Sequence, residues 1–167
     1  MLRLYAATVT TSIGAAILGF ALAGSPAHAD ATTTFTVEQQ APILAYIDIG
    51  VAGRSHADVL AFEAAFAGEG DTAGKLTGIL ITADVPTAPG DIHEDRIGQL
   101  VFDFGGGNSI VVAGVSVYAD NETEMMPGEP QIRAVVGGTG QYIGARGQVT
   151  TVRKHDGTYA HAFELID

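Results

Sequence analysis

The 167-residue sequence has no cysteine and no tryptophan. Disulfides therefore cannot hold it together, and stability has to come from apolar burial and backbone pairing. It is short of positive charge, with 8 Lys and Arg against 19 Asp and Glu. Such a surface repels phosphate backbones and anionic lipid, which argues against a nucleic-acid partner. It has no phosphate-binding lysine loop. It also lacks convincing helical periodicity. Only Ala57 to Ala67 could be argued as a helix, and its alternation of Leu60, Phe62 and Ala64 suits a strand better.

What is present begins with an export signal. Arg3 gives a basic start, Leu4 to Leu22 run without a charged residue, and Ala27-His28-Ala29 precedes Asp30. A basic start, an apolar core and a small-x-small site make a signal peptide over residues 1–29, so the protein is expected to be secreted or extracytoplasmic. No basic stop-transfer cluster follows, so no membrane association is expected after cleavage. Cleavage there leaves 138 residues, enough for one core. Arg3 departs with the leader, so 7 basic against 19 acidic residues leave a charge of −12. Residues 30–42 read as an N-terminal extension and residues 43–167 as the folded domain.

That domain reads as strands punctuated by glycine and turn residues. Runs at Ile43 to Ile49, Lys75 to Ala83, Ile97 to Phe104, Ser109 to Tyr118, Gln131 to Val136, Gly144 to Arg153 and Tyr159 to Ile166 are rich in apolar and β-branched residues. Gly105-Gly106-Gly107-Asn108 and Asp156-Gly157 are hairpin turn signals. About seven or eight strands fit the length, which points to a sandwich or a closed barrel. Several strands, such as Ile110-Val111-Val112-Ala113, are apolar on both faces. One face can line a lumen or core, and the other then needs cover, so self-association is expected.

The stretch from Arg133 to Val149 superficially suggests a dinucleotide-binding loop. It lacks the third glycine at the right spacing and the helix that would hold a pyrophosphate. A structural glycine loop fits better. Gly137, Gly138 and Gly140 would supply positive φ in a tight connection, and Gly144 and Gly147 a sharp bend or close packing.

Val136-Gly137-Gly138-Thr139-Gly140, a spacer containing Tyr142, and Gly144-Ala145-Arg146-Gly147 resemble the C-terminal signature of the dirigent and allene oxide cyclase barrel superfamily. The matching segments run in the same order from about Ile43 to Leu165. The resemblance implies an all-β, eight-stranded antiparallel barrel with a mostly apolar lumen, commonly trimeric, with no cofactor and no metal. It further implies binding of a small apolar molecule and control over the stereochemistry of its cyclisation or coupling. The cysteine that allene oxide cyclases place in the strand resembling Gly78 to Ile81 is absent, and Ile47-Asp48-Ile49 stands where they carry a glutamate and an asparagine.

Candidate site residues are polar groups stranded in apolar runs. Asp48 and Tyr46, two apart and so on one face of a strand, are expected to face the lumen with Asp103 or Tyr118 nearby, as the catalytic set. Arg133, Glu164 and Leu80 are expected to bind substrate. A carboxylate in an apolar cavity has a raised pKa and can act as an acid, whereas an arginine beside it keeps it ionised. Ser55, His56 and Asp58 resemble a triad only by proximity in sequence. His93-Glu94 lacks a second histidine, and Asp120, Glu122 and Glu124 lack the spacing of a calcium loop, so that segment reads as a solvated acidic loop. A carrier or a filled structural scaffold is the alternative reading of the same barrel.

Overall fold

The computed structural model describes residues 32–85, 87, 93–119 and 124–166. The expected leader lies outside the described residues. These described residues form nine strands, β1 (Thr32–Gln39), β2 (Ile43–Ile47), β3 (Val59–Gly68), β4 (Ala73–Asp84), β5 (His93–Gly105), β6 (Asn108–Ala119), β7 (Pro130–Thr139), β8 (Gly147–Arg153) and β9 (Tyr159–Ile166). A single turn of 3-10 helix, Gly140–Tyr142, follows β7.

Every pairing from β2 through β9 is antiparallel between neighbours in sequence. The closure comes from β1. Along its whole length it pairs with β9, from Thr32 opposite Ile166 to Gln39 opposite Tyr159. Its last residues, Val37 to Gln39, also pair with β3 at Gly68 to Phe66. β2 then continues along β3, so β1 and β2 together act as one broken strand. The result is the expected closed eight-stranded antiparallel barrel. Residues 32–39 are thus a wall of the barrel, not the extension assigned to residues 30–42. Their Thr-rich run carries few apolar residues, and only Phe35, Val37 and Gln39 turn inward, so the strand signal is weak.

Period-2 alternation fixes which side chains fill the interior. On β5 the inward set is Glu94, Arg96, Gly98, Leu100, Phe102 and Phe104, while Ile97, Gln99 and Asp103 face out. Inner glycines make room for large neighbours. A Cβ on Gly78 would overlap the Phe62 ring, and one on Gly98 would overlap Leu80. One end is sealed by aromatic packing. Phe35 stacks on Phe163 at 4.8 Å, Phe163 meets Phe102 edge-on at 5.0 Å, and Phe66 meets Phe104 at 5.1 Å. Each such ring withdrawn from water contributes about 1.5–3 kcal/mol.

The turns at this sealed end are tight. Gly106 and Gly107, at φ of 63° and 82°, form the β5–β6 connection, where a two-residue hairpin needs positive φ at both central positions. The glycine loop after β7 works differently from the expectation. Only Gly140, Gly144 and Gly147 have positive φ. Gly138 is needed because a Cβ there would lie 2.5 Å from the Tyr142 carbonyl oxygen, and Gly137 has open space around it. β8 begins at Gly147, where a Cβ would lie 2.0 Å from the Glu164 carbonyl oxygen.

Candidate functional site

The other end of the barrel is polar inside. Gln39, Thr82, Glu94, Arg96, Ser116, Arg133, Thr151 and His161 are all buried there, among Leu60, Leu80, Leu100 and Met125. The strands deliver them by register. Glu94 lies opposite Tyr118 across the β5–β6 pair, and Thr151 opposite His161 across β8–β9.

Two groups of contacts organise this end. In the first, Arg96 donates from Nε to Glu94 Oε1 at 2.6 Å and Thr82 donates its hydroxyl to the same oxygen at 3.0 Å. Arg54 pairs with Glu94 Oε2. The Arg96 guanidinium also lies 4.3 Å from the centre of the Tyr118 ring, a cation–π contact. In the second, the Tyr159 hydroxyl donates to Glu124 Oε1 at 2.9 Å and Arg153 donates to Glu124 Oε2 at 3.1 Å. His161 Nε2 faces Gln39 Oε1 at 2.8 Å and Nδ1 faces the Thr151 hydroxyl at 3.0 Å. With the Gln39 oxygen as acceptor, the ring proton sits on Nε2 and Nδ1 accepts from Thr151.

Electrostatics follow from burial. His161 is held neutral, with its pKa pulled down to about 3 by desolvation and, secondarily, by the charge of Arg133. Burial also lowers the Arg133 pKa, opposed by the Tyr118 hydroxyl that accepts its hydrogen bond. Burial beside Glu124 raises the Tyr159 pKa well above the ordinary phenol value. Between these groups lies a void of about 40 Å³, lined by Leu60, Leu80, Leu100, Tyr118, Arg133 and Tyr159 among others. Met125 is 3% exposed and projects into the same cluster. A void of this size holds a few waters or one small functional group.

Of the expected site residues, Tyr118, Arg133 and Leu80 line this void. Tyr46 lies at the rim, half exposed, with its hydroxyl donating to Asp58 Oδ2 at 2.6 Å. The other three carboxylates are placed differently from the expectation. Asp48 is exposed beyond the end of β2 and accepts the Gly53 N–H at 2.8 Å, because β2 stops at Ile47 and the chain turns there. Asp103 is on the outward parity of β5, accepts the Gly105 N–H at 2.8 Å and sits opposite Ser109, at the far end of the hairpin from Tyr118. Glu164 is on the outward parity of β9, where Gln148 donates to it at 2.8 Å.

Groups that the sequence reading did not assign to the interior are Asp58, Glu94, Arg96, Tyr159 and His161, all buried, and the half-buried Glu124. Asp58 organises residues 49–58. It accepts from the Ile49 and Ser55 backbone N–H groups at 2.9 and 2.7 Å, and these bonds with the Tyr46 hydroxyl hold its pKa at about 2. It is the anchor of a loop and not a member of a triad. The interior signal for β9 was available: Tyr159, His161, Phe163 and Leu165 share one face at period 2.

No protein-family model matches the chain, and no curated protein matches it in sequence. Among solved structures, a pyocyanin demethylase superposes with a TM-score of 0.59 at 20% identity, covering 81% of this chain and 99% of that one. A pterocarpan synthase dirigent protein aligns with a TM-score of 0.46 at 16% identity, covering 95% of this chain and 96% of that one. What is shared with the first is the fold, the barrel type to which the glycine signature pointed.

Proposed function

We propose that this protein is an exported barrel that binds one small, largely apolar molecule at the polar end of its lumen. It would hold that molecule in a single folded conformation, so that cyclisation or coupling yields one stereoisomer. The observation that carries this reading is the convergence of Arg133, Tyr118 and Tyr159 on a void otherwise walled by Leu60, Leu80 and Leu100. Apolar walls with a few oriented polar groups are what a small-molecule site requires. Rate and selectivity would come mostly from restricting conformation, with the two phenols as the proton-bearing groups nearest the ligand. Asp48, Asp103 and Glu164 have no part in this chemistry.

One observation favours the second reading, a carrier or scaffold. The void of about 40 Å³ is far below the few hundred Å³ of a typical ligand pocket. A ligand must therefore displace Met125 from the polar end. Native mass spectrometry after exposure to a metabolite extract separates the two readings. We expect one small molecule per chain, lost when Leu80→Trp fills the void. A chain that stays empty in every extract would leave the scaffold reading.

Self-association belongs to the same proposal. Ile81, Ile97 and Val115 lie side by side across β4, β5 and β6 on the outer face, 42%, 55% and 50% exposed. We propose that a homo-oligomer, a trimer in the resembled barrels, covers this patch.

A further inference from the structure

Every other arginine at the polar end has a carboxylate. Arg96 and Arg54 share Glu94, and Arg153 has Glu124. Arg133 is different. It is 4% exposed, and among the described residues its partner is the Tyr118 hydroxyl, an uncharged acceptor. Its Nε has no acceptor at all among those residues. A guanidinium taken from water without a counter-charge is strongly disfavoured, and a fold gains nothing from keeping one. Methionine or leucine would fill the same volume.

Most of the other polar groups around the void are already committed. Thr151, His161 and the Gln39 amide oxygen bond one another in a chain. Both oxygens of Glu124 are taken, by Tyr159 and Arg153. Among the donors left on the void's lining are the Arg133 Nε–H and the proton of the Tyr118 hydroxyl. These two donors flank a space large enough for a single carboxylate. The Arg153 Nε also lacks an acceptor, but Arg153 is not part of the void's lining.

Resting on the lumen-binding reading above, we infer that the ligand is an apolar monocarboxylate whose carboxylate is received by Arg133 and the Tyr118 hydroxyl. The hydrocarbon or aryl part extends along Leu60, Phe62 and Leu80 toward Leu44 at the rim. Glu124 in the same wall disfavours a dianion, so phosphate monoesters are excluded on charge. The acid also supplies the missing counter-charge, so site and ligand neutralise each other out of water.

Titration calorimetry with cinnamate, cinnamamide and cinnamyl alcohol as probes tests this on the unmodified protein. Cinnamate should bind ten- to a hundredfold more tightly than either neutral analogue, the range expected for one charge-assisted pair. Arg133→Met should erase that preference while the amide still binds. Should that variant fail to fold by near-UV circular dichroism, Arg133→Lys, which keeps the charge but loses the planar fork, should reduce the preference without abolishing it. Equal binding of acid and amide, both blocked by Leu80→Trp, would overturn the monocarboxylate inference and leave the lumen site standing. Failure of all three probes to bind, or binding indifferent to Leu80→Trp, would overturn both.

Discussion

Buried charge at the polar end sorts by partner. Glu94 is compensated by Arg96 and Arg54, and Glu124 by Arg153, whereas among the described residues Arg133 meets only a phenol, and His161 is neutral. The neutral histidine makes stability depend on pH in a definite window. Its folded pKa of about 3 lies below the ordinary 6.5, so between those values the unfolded chain binds the proton that the folded one refuses. Its contribution is complete above pH 6.5 and declines as the pH falls toward 3. By pH 5 the loss is about 2 kcal/mol. Thermal melts of the wild type should show this decline, and His161→Gln should flatten it between pH 6.5 and 4. At the surface, Asp48→Asn should change stability by less than about 0.5 kcal/mol, since the amide oxygen can still accept the Gly53 N–H. Chemical denaturation measures it, and a loss above 1 kcal/mol would show a role the structure does not contain.

At the scale of elements, the glycines separate by what surrounds them. Gly147→Ala would place a methyl 2.0 Å from the Glu164 carbonyl oxygen at a φ of 139°. We expect it to cost about 1–3 kcal/mol, as overpacking does, or to prevent barrel closure. Gly137→Ala has open space and no positive φ, and should be neutral or slightly stabilising, by up to about 1 kcal/mol. Equal losses in urea unfolding would contradict this account of the loop. The strands from Lys75 onward were legible because period-2 runs and turn residues are local properties. β1 was not, since Thr32–Gln39 is polar and its strand identity depends on partners, β9 and β3, far away in sequence. Facing was the harder problem. Asp103 and Tyr118 share a hairpin, yet the tight Gly106-Gly107 turn sets a register in which one points out and the other in. For Arg133 the alternation with Val135 was readable, but the lack of a carboxylate partner among the described residues is a three-dimensional fact.

At the scale of the molecule, the barrel has one sealed aromatic end and one polar end, with its longer loops at the polar end, where variable function-bearing segments belong. The outer apolar patch gives an expectation for assembly. Sedimentation at micromolar concentration should show an oligomer, and Ile97→Glu should dissociate it without unfolding the barrel. A wild-type monomer would remove the proposal. The central claim, that the polar end of the lumen receives a ligand, is tested most directly by methyl NMR during titration with cinnamate. The methyl resonances of Met125, Leu80 and Leu100, which line the void with Arg133, are expected to shift together and saturate at one molecule per chain. Shifts confined to the outer Ile97 and Val115, or none at any concentration, would contradict it.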